Sequence, residues 1–371
     1  VGDNVDISLA TLSKSGTLAL NLSGSATSSV TVAAAHLTTA NTMTEASGGA
    51  KTVTAVGALT GYTLHTAVDT LVLANATNSV TLGATAQNVT GNAGADTVTM
   101  INSATGTIAL AGGTNIVNVG DSVDITGATI TATGGTYDVN LTGTTASSTM
   151  TSAQLKAANS FTEGSAGAKT VTVTGALTGT TIDATIDTLV LADATNSVTL
   201  GAAAQSVTGG TGADTVTMIT GATGTINVAG GTNVVNVGDN VDISLATLSK
   251  SGTLALNLSG SATSSVTVAA AHLKTGVNSI TEASGGAKTV TVVGALTGYT
   301  INTTIDTLAL ANATNSVTLG AVGQNITGDA GADTVTMINN ATGTINVAGG
   351  TNVVNVGDNV DISGATLSKS G

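Results

Sequence analysis

The amino-acid sequence predicts an all-β chain that folds as a parallel β-solenoid, a β-roll-like stack with about 18–19 residues per coil. Three observations predict this fold. The 371 residues are built from near-identical units of about 118 residues. Within each unit, a short alternating segment recurs every nine or ten residues. The composition is rich in Val, Thr, Ala and Gly, which favours strands and turns over helices.

The long repeat defines the predicted organisation of the chain. Residues 1–37 are identical to residues 237–273, and the Gly-Asp pair that marks each unit recurs at spacings of 118, 118 and 119 residues. Residues 356–371 repeat the first 16 residues with one substitution, so we expect the units to belong to a longer array. The predicted units are 1–118, 119–236, 237–355 and the start of a further unit, 356–371.

The short repeat predicts the strands. In residues 214–218, Val216 and Met218 are expected to face inward and Thr215 and Thr217 outward, because side chains alternate between the two faces of a strand. One such strand cannot bury its apolar side, but stacked coils bury a continuous core. Two strands per coil give about 18–19 residues and three give about 28, and the spacing allows both. The equivalent apolar positions of the middle unit are Leu189, Val198, Val207, Val216, Ile226 and Val235.

The composition fits a thin core and excludes several functions. Aromatic residues make up 1% of the chain, and Pro, which cannot donate to a strand ladder, is absent. The chain has no Arg and a net charge of −13, so nucleic-acid binding has little electrostatic basis. It has no Cys for thiolate chemistry, and Thr, Gly and Asn interrupt every apolar run, so we predict no membrane insertion. Near-identical units without aromatic or basic substrate platforms also predict that the protein is not an enzyme.

One stretch in each unit breaks the strand register. It contains the Glu residues and most of the His, and it also holds the one-residue length difference between units. AAAHL and SAQLKAA in these stretches have the pattern of a short helical turn. Two interpretations remain open, namely a bulging coil and a lateral contact with another molecule. The three stretches are 33–50, 151–168 and 269–287.

A nine-residue motif in each unit suggests a metal site. GGTGADTVT at 209–217 fits G-G-x-G-x-D-x-U-x, where U is a large apolar residue. It resembles the calcium-binding nonapeptide of RTX proteins, and the composition resembles bacterial surface-layer proteins. The resemblance implies calcium held by turn carbonyls and one carboxylate, with glycines allowing left-handed turns. The implied residues are Asp96, Asp214 and Asp333, with Gly91, Gly94, Gly209, Gly210, Gly212, Gly328 and Gly331 shaping the loops.

The positions one coil away from each Asp are Asn, not Asp. An RTX site needs a matching loop there, so a neutral amide leaves at most one strong anionic ligand in each site. The alternative is a column of Asn and Asp side chains that cap turns through bonds to the backbone. The Asn residues of this column are Asn78, Asn115, Asn196, Asn233, Asn315 and Asn352.

These observations predict a structural role outside the cell. We expect a bacterial cell-surface protein that assembles with itself, end to end and laterally, into a fibre, sheath or surface layer. Attachment to the cell would come from regions outside this segment. The alternative is a calcium-dependent adhesin stalk that presents a binding domain located elsewhere.

Overall fold

The computed structural model describes residues 1–24, 27–46, 48–145, 147–261 and 263–369, so Ser47 of the first register-breaking stretch lies outside the described residues. The predicted fold class is confirmed. Parallel strands stack into a β-solenoid of about 17 turns, and 5% of the chain is helical. The chain forms two compact units, Val1–Thr174 and Gly175–Gly371.

Among its described residues, the first compact unit contains seventeen strands and two short helices. The helices are α1 (Ala34–Thr39) and α2 (Ser152–Ala157). The strands are β1 (Val5–Asp6), β2 (Ala19–Leu22), β3 (Ser28–Ala33), β4 (Thr42–Glu45), β5 (Lys51–Val56), β6 (Tyr62–Thr63), β7 (Thr70–Val72), β8 (Asn78–Thr81), β9 (Asn88–Thr90), β10 (Asp96–Thr99), β11 (Thr107–Leu110), β12 (Gly113–Val119), β13 (Thr129–Ala132), β14 (Gly135–Leu141), β15 (Ser147–Thr151), β16 (Phe161–Glu163) and β17 (Thr170–Thr174).

The second compact unit contains the remaining strands and one π-helix, His272–Gly276. The strands are β18 (Thr180–Thr181), β19 (Thr188–Val190), β20 (Asn196–Thr199), β21 (Ser206–Thr208), β22 (Asp214–Thr217), β23 (Thr225–Val228), β24 (Thr232–Val237), β25 (Val241–Asp242), β26 (Thr247–Lys250), β27 (Thr253–Leu258), β28 (Ser264–Ala269), β29 (Ser279–Glu282), β30 (Lys288–Val293), β31 (Thr297–Thr300), β32 (Thr307–Ala309), β33 (Asn315–Thr318), β34 (Asn325–Thr327), β35 (Asp333–Thr336), β36 (Thr344–Val347), β37 (Val353–Asn355) and β38 (Thr366–Lys369).

The strand pairing shows that each coil has two sides. In the first unit, the order β1-β3-β5-β7-β9-β11-β13 forms one sheet and β6-β8-β10-β12-β14-β16 forms the opposite one, with β2-β4 and β15-β17 as further pairs. The second unit has the orders β18-β20-β22-β24-β27-β29, β19-β21-β23-β26, β25-β28-β30-β32-β34-β36-β38 and β31-β33-β35-β37. Successive strands of a sheet are one coil apart, so the ladder runs from coil to coil.

The register stacks like residues on one another and makes the core. Val80 pairs with Val98, and Val98 with Val117, and all three side chains are buried. Side-chain bonds between adjacent coils join residues 18 or 19 apart in the regular part of a repeat. The separation rises to 22–24 residues in the wider coils, where Phe161 is buried. Small aliphatic side chains therefore fill most of the narrow space between the two sheets.

The register-breaking stretches contain the helices. In α1 and α2 the capping bond spans four residues, from Ala40 N to His36 O and from Ala158 N to Gln154 O. In the third stretch, Val277 N donates to His272 O, five residues back, and the segment is a π-helix. One inserted residue produces this change, because it widens a helical turn from i+4 to i+5. The length difference between units is thus absorbed inside a helix.

The π-helix also marks a step in a sheet. Strand β26 pairs with β23 and contacts the π-helix, while β25, a few residues earlier in the same coil, pairs with β28. The sheet therefore shifts sideways at this coil. Strand β26 is left at the edge of its sheet, and the π-helix packs against it. The bulging-coil interpretation of the stretches agrees with this arrangement.

Candidate functional site

The three motif aspartates lie inside the solenoid. Asp96, Asp214 and Asp333 are the first residues of β10, β22 and β35, and each is at most 1% exposed. They occupy inward-facing positions because the alternation that buries the Val two residues later also buries the Asp. A buried carboxylate needs partners, since its desolvation is costly.

The partners are the Asn residues of the adjacent coils. Asn196 Nδ2 donates to Asp214 Oδ1 at 2.8 Å, and Asp214 N donates to Asn233 Oδ1 at 2.8 Å. The other repeats contain the same chain of bonds. We call each set of three an Asx column, and the columns are Asn78-Asp96-Asn115, Asn196-Asp214-Asn233 and Asn315-Asp333-Asn352. The structure thus brings together the Asp and Asn positions that the sequence aligned.

Each Asn also caps its own turn. Asn196 Oδ1 accepts the N–H of Leu177 in the preceding coil at 2.9 Å, and its Nδ2 donates to Ala192 O at 3.0 Å and Ala194 O at 2.9 Å. Buried backbone groups that would lack partners at the corner are therefore satisfied by one amide. Side-chain capping of turns, which the residues allowed as an alternative, is present at these Asn positions.

The second oxygen of each buried carboxylate, Oδ2, has different surroundings from Oδ1, which accepts the bond from Asn. In the described part of the chain, Oδ2 of Asp214 and Oδ2 of Asp333 are buried without a hydrogen-bond partner. Each points at the glycine five residues earlier, Gly209 or Gly328, where a Cβ would overlap it. Gly91 holds the equivalent position beside Asp96. These glycines make room for a carboxylate.

The motif glycines do not adopt the left-handed conformation that the resemblance implied. Positive φ angles occur one coil later instead, at Gly113, Gly231 and Gly350. Gly94, Gly212 and Gly331 approach the backbone of the preceding coil, and Gly210 approaches Asp193 and Ala192. The expectation of left-handed turns was therefore wrong. Gly is needed at these motif positions because the backbone of the preceding coil, or a carboxylate, lies too close to leave room for a Cβ.

Burial controls the ionisation of these carboxylates. Desolvation raises the pKa of Asp96, Asp214 and Asp333 above the ordinary value, and the Asn side chain on each lowers it in part. Negative charge from Asp193 raises the pKa of Asp214 further, and Asp329 does the same for Asp333. A raised pKa means that the folded state binds the proton more tightly than the unfolded state does.

The groups around the carboxylate are only partly those that calcium uses. The free Oδ2 atoms are suitable oxygen ligands, but the Asn side chains turn amide hydrogens towards the carboxylate. Calcium takes six to eight oxygen ligands. Among the described residues, no three His, Cys, Asp or Glu side chains are grouped closely enough to hold a metal ion. Calcium binding at these turns stays a prediction, and its ligands would have to come largely from backbone carbonyls.

A second recurring pair of carboxylates is divided between two turns. Asp239 accepts the N–H of Ser261 in the next coil at 3.0 Å, whereas Asp242 accepts the N–H of Ser244 in its own turn at 2.8 Å. The bonds to Ser261 lower the pKa of Asp239. The two carboxylates therefore act as separate turn caps.

Three buried lysines were not foreseen from the sequence. Lys51, Lys169 and Lys288 are at most 1% exposed and occupy inward positions at or next to the start of a strand. Lys169 Nζ donates to Gly143 O at 2.8 Å and Ser165 O at 2.7 Å, and Lys288 Nζ donates to Ser261 O at 2.7 Å. The ammonium thus satisfies turn carbonyls of the widened coil. The signal was available, because each Lys stands two residues before an inward Val in K-T-V-T.

The arrangement is one of internal capping, and comparison with known proteins adds no family to it. No protein-family profile matches the chain, and neither a curated protein nor a solved structure does. No helix in the described residues is long and apolar enough to cross a membrane. The chain is a tandem-repeat β-solenoid.

Replacing Asp214 by Asn is expected to stabilise the protein at pH 7 in the absence of metal. The change removes a buried charge and keeps Oδ1 as an acceptor for Asn196, so we expect a gain of about 1 kcal/mol. The raised pKa of Asp214 means that the stability of the wild type falls as pH rises through the folded-state pKa. The advantage of the variant should therefore shrink at acid pH.

Denaturant unfolding at pH 4 to 8 with chelator measures this difference. The exposed carboxylate of Asp358 provides the control variant D358N, which removes one negative charge from the surface and leaves the buried charge of Asp214 in place. A D214N variant that is less stable than the wild type at pH 7 with chelator would contradict the expectation.

Proposed function

We propose that this chain is part of an extracellular structural protein of a bacterial cell surface, which assembles with copies of itself into a fibre, sheath or surface layer. The observation that supports this most is a ladder of polar side chains on the outside of the sheets. Asn140 Nδ2 donates to Asn118 Oδ1 at 2.9 Å, and Asn118 Nδ2 donates to Thr99 Oγ1 at 3.0 Å. Stacked amides of this kind make a flat, regular surface.

The same ladder recurs in the second compact unit. Asn257 Nδ2 donates to Asn236 Oδ1 at 2.9 Å, and Thr281 Oγ1 donates to Asn257 Oδ1 at 3.2 Å. Because the repeats are nearly identical, a lateral contact made by one of them is available to the others. A surface that offers the same contact many times is suited to a lattice or a filament.

Exposed apolar side chains also recur. Leu9 is 98% and Leu245 69% exposed, and Val56 and Val293 form a second equivalent pair. Large apolar side chains held in water at equivalent positions support contacts between molecules. Position 127, the equivalent of Leu245 in the middle repeat, is Gly.

The second candidate is a calcium-dependent adhesin stalk. The unpartnered Oδ2 atoms of Asp214 and Asp333 favour it, because a cation would give these oxygens a partner. In this case the chain would stay monomeric, and calcium would stiffen it. Neutralisation of the buried carboxylates would be the source of that effect.

Electron microscopy of the purified chain with calcium and with chelator tests both proposals. We expect regular filaments or sheets under both conditions, and we expect the double variant L9G/L245G to assemble less because it lacks two exposed side chains. A matched control is T215A, which shortens one outward side chain and keeps the apolar positions. Monomers under both conditions would contradict self-assembly, and monomers that gain stability from calcium would favour the stalk.

A further inference from the structure

The helical segments are tied to the preceding coil by one side chain each. These cross-coil side chains are His36, Gln154 and His272, which occupy equivalent positions in the three repeats and are all buried. His272 Nε2 lies 2.9 Å from Ala246 O, and His36 Nε2 lies 2.8 Å from Ala10 O. Both acceptors are carbonyls in the turn of the coil below, 26 residues earlier. Each bond therefore joins a helix to the preceding coil.

The other ring nitrogen faces a donor. Ala269 N donates to His272 Nδ1 at 3.3 Å, and Ala33 N donates to His36 Nδ1 at 3.3 Å. A backbone N–H can only donate and a carbonyl can only accept, so the ring must carry its proton on Nε2 and leave Nδ1 bare. A proton added to Nδ1 would meet the backbone N–H and remove that bond. The site at His272 therefore fits the neutral ring and disfavours the imidazolium.

Gln154 makes the same connections without a titratable group. Its Oε1 accepts the N–H of Thr151 at 2.7 Å, and its Nε2 donates to Ile125 O at 2.7 Å and Ala128 O at 2.9 Å. An amide oxygen and an amide nitrogen thus take the places of Nδ1 and Nε2. The middle repeat is a natural version of the site that does not respond to pH.

Charged neighbours do not offset the cost of protonating His272. The charged residues on the segments around the two rings are Asp6, Lys14, Asp242, Lys250 and Lys274. Each of the two aspartates accepts a backbone N–H of its own turn at 2.8 Å, and Lys14 and Lys274 donate to Asn41 and Thr297. Burial is the largest cause of the lowered pKa of His272, and its bond to Ala246 opposes this in part.

We propose that the His272 side chain is an acid-sensitive link that holds the helical segment of its repeat closed at neutral pH and releases it in acid, whereas Gln154 keeps the middle repeat closed throughout. The ring would bind a proton only when the segment opens, and the bound proton would keep the segment open. Because the folded state disfavours the charged ring of His272, the stability of its closed segment is complete above about pH 6.5, the ordinary pKa of His, and falls as pH drops below it.

Hydrogen exchange of the intact chain between pH 8 and pH 5 tests the proposal. After correction for intrinsic rates, we expect a peptide covering 269–278 to lose about thirtyfold in protection at pH 5, while 151–159 does not change. The factor is the extra proton affinity of an opened His with an ordinary pKa. The variant H272Q should abolish the loss, and Q154H should bring it to 151–159.

Two further measurements keep the result independent of how the variants fold. Nitrogen chemical shifts of the wild-type rings should show the Nε2–H form at pH 8. The control H65N, which replaces the remaining His by the residue at the equivalent position 302, should keep the acid response. Equal responses in 151–159 and 269–278, an acid response that survives H272Q, or one that H65N removes would each overturn the proposal.

Discussion

Replacing Asn196 by Ala is expected to destabilise the second compact unit by about 4 kcal/mol, because one amide satisfies four buried groups. The variant leaves the N–H of Leu177 without its acceptor and the carbonyls of Ala192 and Ala194 without their donor. It also removes the partner of Asp214 Oδ1, whose neighbouring Oδ2 already has none. Unsatisfied groups in a dry interior cost far more than the same groups cost in water.

The matched control for this variant is S197A. Ser197 follows Asn196 in β20 but faces outward, so its loss should change the free energy of unfolding by less than about 0.5 kcal/mol. Denaturant unfolding gives the two energies, and hydrogen exchange at Leu177 shows where the damage lies. Equal stability of the two variants would contradict the prediction, because it would show that the Asx column contributes little to the free energy of unfolding.

Replacing Gly212 by Ala is expected to be as harmful, for a steric reason. A Cβ on Gly212 would overlap the carbonyl of Ala194 in the preceding coil, and this backbone atom cannot rotate away as a side chain could. The coils would have to separate at the Asx column, which would lengthen the bond from Asn196 to Asp214. We expect a loss of about 4 kcal/mol, at the upper end of what overpacking costs.

Gly285 provides the control for this prediction. A Cβ there meets open space, and the residue lies outside the left-handed region, so G285A should be neutral or slightly stabilising. Thermal and denaturant unfolding of both variants measures the difference in their stability. A G212A protein as stable as G285A would contradict the prediction, because it would mean that the turns of adjacent coils have room for the added Cβ.

The sequence predicted the strands well because the evidence for them is local. The alternation in residues 214–218 places Val216 inside without knowledge of any other coil, and β22 lies where this pattern predicts it. The column of Asn and Asp was also visible, since its members recur at the coil spacing. Its chemistry was not visible, because residue types alone do not reveal whether an Asn presents its oxygen or its amide hydrogens to the neighbouring Asp.

The burial of Lys288 and His272 was missed for a related reason. Both side chains find their partners 26 or 27 residues earlier, in turns that the coil stacking brings beside them. Lys side chains are mostly exposed in folded proteins, and Lys288 is an exception because a backbone carbonyl inside the solenoid accepts a hydrogen bond from its ammonium. The left-handed glycines were expected from a resemblance, and the structure places the positive φ angles one coil later.

The sequence by itself determined the fold class, the spacing of the strands along the chain and the inward-facing aliphatic residues, because period-two alternation and tandem repetition are properties of the chain alone. The tertiary structure decided that the coils have two sides, that glycines of the motif serve close approach, and that one side chain in each repeat ties a helix to the coil below. These features depend on which backbone groups meet across coils. These contacts between coils are fixed by the stacking register and by the direction in which side-chain donors point, and no local sequence pattern encodes either.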